Sequence, residues 1–179
     1  IASLAVSNAT LDEILCYSIK DLANLFQGDL GAIFLLDEQV GELRLHRQSV
    51  YGASPDATDL LARLHMDEPQ YRYTVSGSQK PYFSGRLSSD RRVLPVYRPL
   101  VSVLQVESAI VVPLLVHDKS LGELIIGSRK TEFFNSSDLQ IVTTAAGQLA
   151  AAIEEVARLT ETDESLRRRV EQLTSIARV

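Results

Sequence analysis

Three patterns of hydrophobic and polar positions succeed one another along this chain. The first has helical period. Leu11, Ile14, Leu15, Ile19, Leu22 and Phe26 recur every three or four residues, which predicts an amphipathic helix. Thr10 opens that run and Glu13 follows three residues later, a capping-box pattern. Gly28 suits the C-terminal cap. The first nine residues, with Ile1, Leu4, Ala5 and Val6 apolar, fit the end of an incoming helix, either separate or joined to the next through a kink at Ser7-Asn8.

The second pattern is that of strands. Ala32–Leu36 is a short apolar run and predicts a buried strand; Asp37–Glu42 holds Gly41 and predicts a turn; Leu43–Val50 alternates and predicts the returning strand. Later, Ala109–Val116 and Leu121–Gly127 flank the polar turn His117-Asp118-Lys119-Ser120, a second hairpin. Ser54-Pro55-Asp56 opens a short helix carrying Leu60, Leu61 and Leu64, and Pro69 closes that region. A long helical pattern starts at Ser136 or Ser137 and continues far past the hairpin.

The third pattern is irregular. Gln70–Val106 contains Gly77, Pro81, Gly85, Pro95 and Pro99, together with Tyr71, Tyr73, Tyr82 and Tyr97. Short strands are expected near Tyr71–Val75 and Pro81–Ser84, and Val101–Val106 fits a strand or a short helix. A segment this long with so many breakers reads as a functional or variable loop. Strands grouped in hairpins with helices at both ends predict the α+β class: a central antiparallel sheet, helices on one face and a long C-terminal helix.

Composition narrows the function. The 179 residues, 45% hydrophobic, can build one core with an appendage. A net charge of −5 with no basic stripe argues against nucleic acid as a partner. The single cysteine, Cys16, rules out an internal disulfide and suits the cytoplasm. No apolar run approaches the roughly 20 residues that span a bilayer. A first residue of Ile rather than Met suggests a piece of a longer protein.

No catalytic constellation is visible, so the chain reads as non-enzymatic. The carboxylate pairs Asp12-Glu13 and Asp37-Glu38 fall at a helix start and a turn, and no glycine-rich phosphate loop occurs. His46, on an exposed-looking strand position, His65 and His117 show no metal-ligand spacing. Cys16 reads as a small hydrophobe on a helix rather than an attachment point for a chromophore.

Several segments taken in order resemble the GAF domains, over about Thr10 to Leu159. TLDEILCYSIKDLANLF is similar to the family's first helix, and GAIFLLDEQVGELRL to its first hairpin. SGSQKPYFSGRLSSD resembles its central region, with Gly85 where Asp is common. SAIVVPLLVHDKSLGELIIGS resembles its second hairpin, and FFNSSDLQIVTTAAGQLAAAIEE its exit helix. The resemblance implies a GAF/PAS-like fold and a regulatory module that senses a small molecule or light, or serves only to dimerise. Of the family's cyclic-nucleotide signature, Phe134 and Asp138 match. Ser128-Arg129-Lys130 lacks the Asn and Leu139 replaces the Glu, so packing for Phe134 and capping by Ser136, Ser137 or Asp138 is the favoured reading.

A sheet of this kind implies a cavity under the irregular segment. Tyr73, Tyr82, Ser84, Arg86 and Tyr97 are the candidate ligand-binding residues, offering aromatic walls and polar handles; the alternative is that the tyrosines only pack the loop onto the sheet. No cofactor follows from the residues; a non-covalent chromophore or haem is the third reading. The organisation expected is 1–9 as an incoming helix, 10–158 as the sensory domain and 159–179 as a coiled-coil-like signalling helix. Leu139, Val142, Ala146, Leu149, Ile153 and Val156, then Leu159, Leu166, Val170, Leu173 and Ala177, form an apolar seam. It is read with a stammer at Val156–Leu159, and with ion pairs Glu154–Arg158, Asp163–Arg167 and Glu164–Arg168. A homodimer through the first and last helices follows as an expectation. The similarity of Leu173–Arg178 to Ile1–Val6 suggests a second GAF-like unit downstream, with an output domain as the alternative.

Overall fold

The computed structural model describes residues 10–63, 66, 70–91 and 95–177. The incoming helix over 1–9, the Ile1–Val6 similarity, Leu64, His65 and Pro69 lie outside the described residues. The elements are α1 (Leu11–Leu25), β1 (Leu30–Asp37), β2 (Glu42–Tyr51), α2 (Pro55–Ala62), α3 (Val75–Ser78), β3 (Tyr82–Ser84), α4 (Arg98–Leu104), β4 (Ser108–Val116), β5 (Lys119–Ser128) and α5 (Ser136–Ala177). Tight 3-10 turns occupy Tyr71–Tyr73 and Pro95–Tyr97.

The five strands form one antiparallel sheet in the order β2-β1-β5-β4-β3, so the last strand in sequence is the central one. The β4–β5 connection is tighter than the four-residue turn expected. Val116 pairs with Lys119, and only His117 and Asp118 lie between them, both at positive φ. That is the conformation of a two-residue hairpin turn matched to strand twist.

Side chains alternate between two buried faces. On one face, Ile33, Ile110, Val112, Leu114, Leu124 and Ile126 pack against Ile14, Leu15, Ile19 and Leu22 of α1 and Val142, Ala146, Leu149 and Ile153 of α5. On the other, Phe34, Leu43, Val111 and Ile125 pack against Leu61, Val75, Tyr97, Leu100 and Leu104. The long helices share one face as expected, and the short ones cover the other. Gly31 permits the first arrangement, because a Cβ there would sit 2.8 Å from Ile19 Cγ1.

Local chemistry differs from the expectation at several points. Tyr71–Val75 is no strand: the Thr74 hydroxyl accepts from Gly77 N at 2.9 Å and starts α3, overriding the strand preference of Tyr and Val. Val101–Val106 resolves as the end of α4, closed by Gln105 at φ 55. After α1 it is Gln27, at φ 52, that takes the left-handed position, while Gly28 allows close approach to Ile126. The cap of α5 is Asn135 rather than a serine. Its Oδ1 accepts from the amides of Ser137 (2.8 Å) and Asp138 (3.1 Å), and Asp138 Oδ2 accepts from Asn135 N (2.8 Å). Arg158 pairs with Glu155, not Glu154, because the i,i+3 carboxylate gives it two bonds at 2.7 and 3.0 Å. The pairs Asp163–Arg167 and Glu164–Arg168 are present at 3.2 and 3.8 Å.

Asn135→Ala is expected to lower stability by about 1 kcal/mol, the usual worth of an N-cap, and Ser136→Ala by no more than a few tenths. Urea denaturation midpoints of the two variants measure the difference.

Candidate functional site

The most unusual chemistry lies on the sheet face covered by α3, α4 and the Pro95–Tyr97 turn. Alternation along β5 sends Leu124 and Ile126 to the α1/α5 side, and Glu123 and Ile125 to the other. Glu123 is therefore a carboxylate in the middle of the central strand with 0% exposure. Its Oε2 accepts from Ser76 N at 2.9 Å, and both oxygens lie 3.0 Å from the Tyr97 hydroxyl, which donates to them. That hydroxyl in turn accepts from Val75 N at 2.6 Å. Ser76 Oγ reaches Ser120 Oγ at 2.6 Å, and the Ser120 hydroxyl lies 3.1 Å from the Gly122 carbonyl.

Two effects oppose each other at Glu123. Burial disfavours the charge and raises its pKa, while the Ser76 amide, the Tyr97 hydroxyl and the Val75 amide stabilise the carboxylate; the balance moves it from 4.5 to about 7. Burial and the neighbouring Glu123 push the Tyr97 hydroxyl well above its ordinary range. The arrangement can therefore exchange a proton near neutrality, and it ties α3 and the Pro95–Tyr97 turn to β5.

The five candidate residues are placed as follows. Tyr97 is 1% exposed and Ser84 2%, so both are interior. Tyr82 stacks on Tyr97, centroids 6.5 Å apart and planes within 5°, and its hydroxyl donates to Asp90 Oδ2 at 3.1 Å. Ser84 accepts from Ser108 Oγ through its carbonyl and from Arg86 N through its hydroxyl. Arg86 points outward and pairs with Glu132 at 3.2 Å. Tyr73 is half exposed beneath the Arg72 guanidinium, 4.7 Å from its ring centroid. The structure thus brings Tyr82 and Tyr97 together and leaves Tyr73 and Arg86 outside. The region under the irregular segment is filled by Phe34, Val111, Ile125, Tyr97 and their neighbours. Open clefts lie around it, among them one of about 550 Å³ bordered by Arg63, Gln70, Tyr73 and Pro99 and one of about 410 Å³ between Leu87 and Val101.

Glu123 carried a signal that strand alternation alone does not reveal: a lone carboxylate inside the apolar run Leu121–Gly127. His46 also differs from its exposed-looking position. Its side chain is only 12% exposed, with Nε2 2.9 Å from Asp12 Oδ1 and Nδ1 2.7 Å from Ser49 Oγ. This Asp-His-Ser chain ties α1 to β2, and Ser49 is 0% exposed. Cys16 is free and half buried. Among the described residues no cluster of metal-ligating side chains occurs, and no helix is long and apolar enough to cross a membrane. Phe134 is 4% exposed and packs in the α5-side core. Ser128 Oγ and Arg129 N both bond Asp29, whose carboxyl the Arg129 amide holds below its usual range.

The sequence profile of the GAF domain family matches residues 10–155, and the chain belongs to that family. Solved structures agree on the fold. The GAF domain of an Acinetobacter phosphoenolpyruvate-protein phosphotransferase superposes with TM-score 0.67 at 17% identity, covering 87% of this chain and 89% of that one. The blue-light absorbing form of the Thermosynechococcus elongatus PixJ GAF domain gives 0.69 at 15%, covering 94% and 98%. The Geobacter sulfurreducens GAF domain/HD domain protein gives 0.67 at 15%, covering 84% and 97%. No curated protein sequence matches the chain.

Folding stability is expected to fall as pH rises from about 4.5 to 7. In that window the unfolded chain has lost the Glu123 proton and the folded chain keeps it, so the unfolded state binds fewer protons and the slope is negative. The total is about 3 kcal/mol, at about 1.4 kcal/mol per unit of pKa difference. Denaturant titrations at each pH should show this decline in the wild type and its loss in Glu123→Gln.

Proposed function

We propose that this GAF domain is a non-catalytic regulatory module of a cytoplasmic signalling protein, and that it works as a dimer whose exit helix carries its state onward. The observation supporting this is α5. It runs uninterrupted for 42 residues, about 63 Å at 1.5 Å per residue. Its first half belongs to the domain core, and its second half projects with Leu159, Leu166, Val170 and Leu173 exposed at 44, 55, 61 and 67%.

Taken through Ala145 and Ala152, the apolar positions Val142, Ala145, Leu149, Ala152, Val156, Leu159, Leu166, Val170, Leu173 and Ala177 keep one heptad spacing from end to end. No stammer is then needed at Val156–Leu159. Only Asp163 is polar on that seam, and Arg167 pairs with it at 3.2 Å within the helix. A seam that outruns its own domain fits a parallel partner helix of a second copy. The projecting end would then lead to an output domain or a second GAF-like unit. One of the similar structures is in keeping with such a setting, coming from a GAF domain/HD domain protein of Geobacter sulfurreducens.

A second reading, small-molecule sensing, is favoured by the open cleft of about 550 Å³ beside Tyr73. Of the candidate residues only Tyr73 borders it, since the space around Tyr97 is filled. Native mass spectrometry of the protein as expressed, with a retained mass of ligand size, tests this reading.

The intact chain is expected to sediment as a dimer at tens of micromolar, and a chain ending at Arg158 as a monomer. Asp163→Leu, which completes the apolar seam, should tighten the dimer. Analytical ultracentrifugation decides, and a monomeric intact chain overturns the relay reading.

A further inference from the structure

Among the described residues, Glu123 is the one charged side chain in the core. A buried carboxylate normally survives by pairing with a cation. Among the described residues the direct partners are neutral: the Ser76 amide and the Tyr97 hydroxyl. The groups around it come from several elements. The α3 helix gives the Val75 and Ser76 amides, and the Pro95–Tyr97 turn gives Tyr97. From β3 comes Tyr82, stacked on Tyr97 and bonded to Asp90. Ser120 of β5 itself reaches Ser76. The cross-strand neighbours are Phe34 on β1 and Pro113 on β4, neither titratable.

We propose that the proton is a signal this domain reads, with Glu123 as its binding site and the contact of α3 and Tyr97 with β5 as the element it controls. This rests on the reading of the domain as a sensory module and names its input. Protonated, Glu123 is compatible with the closed, dry interior. When it gives its proton to solvent, the remaining charge has only neutral dipoles among the described residues in a medium of low dielectric, and water becomes the better partner. Water reaches it only if α3 and Tyr97 part from the strand. The two states then differ in proton affinity, as a ligand must have them differ in order to shift a population.

The same strand reports the change. Leu124, the next residue, points to the opposite face and packs in the cluster that holds Leu149 and Ile153 of α5. The exit helix rests chiefly on β4, so a displacement of β5 at Glu123 reaches it through β4, the hydrogen-bonded neighbour of β5.

The test is residue-resolved amide hydrogen exchange by NMR on the full chain between pH 5.5 and 8.5, corrected for intrinsic exchange rates. Protection of Val75 and Ser76 should fall by roughly tenfold or more as pH rises toward the point where Glu123 ionises in the closed state, and level off above it. In Glu123→Gln it should stay level. Identical profiles in the two proteins, or a level wild-type profile, overturn the proposal. Should Glu123→Gln not fold, Tyr97→Phe serves: it keeps the ring, removes a donor to the carboxylate, and should move the wild-type midpoint to higher pH. An unmoved midpoint there is equally fatal. Sedimentation of the same samples separates the two readings. Level protection in a dimeric chain removes the proton and keeps the relay; pH-dependent protection in a monomeric chain does the reverse.

Discussion

The central strand of a sheet covered on both faces is the least hospitable place in this fold for a charge, and β5 carries Glu123 there. Leaving such a group without hydrogen bonds costs several kcal/mol. Its donors must therefore be delivered by whatever covers that face, and they come from far away along the chain. Ser76 lies 47 residues from Glu123 and Tyr97 lies 26. This requirement fixes where the irregular segment sits. Thr74 caps α3 so that its first amides point at the strand, and Gly77 lets the preceding turn fold tightly, since a Cβ there would meet the Tyr71 carbonyl. Tyr82 then holds the Tyr97 ring by stacking.

The opposite face obeys a simpler rule. It is apolar except for Ser108 and Ser128, paired at the ends of β4 and β5, and α1 and α5 lie on it by burying Ile, Leu, Val and Ala. Apolar packing is non-directional and tolerates small shifts of a helix along a sheet. The hydrogen-bonded face is directional, and a donor is either in place or not. The same five strands join the two faces, with alternate residues serving each side.

Elements built on a repeated pattern were legible in the sequence: the first helix, both hairpins and the exit helix follow from apolar spacing. What was not legible depends on partners distant in sequence. Strand alternation marked His46 as exposed, yet α1 brings Asp12 onto it from 34 residues away. Tyr and Val suggested a strand at Tyr71–Val75, but the Thr74 cap prevailed. Glu123 sits in a strand buried on both faces, where apolar residues occupy consecutive positions and alternation is lost. There a polar residue is informative through the absence of any exposed face to receive it. Of the candidate residues, Tyr82 and Tyr97 reached the site because they flank β4 and β5 in space, while Arg86 had Glu132 to pair with outside.

The contrast between Glu123 and the Asp12–His46–Ser49 chain shows why only one of the two buried polar systems is coupled to conformation. The second contains the residue types of a hydrolytic triad, but Ser49 has no exposure, so its hydroxyl has no room to meet a substrate. Asp12, at its other end, is 56% exposed. Water can reach the Asp12 end of that chain directly. Glu123 has no such route. Its oxygens meet only protein, so a change in its charge is answered by a change in the position of α3 and Tyr97 or by a change in stability. Burial of the whole network, more than the identity of the carboxylate, makes the group's protonation a structural variable.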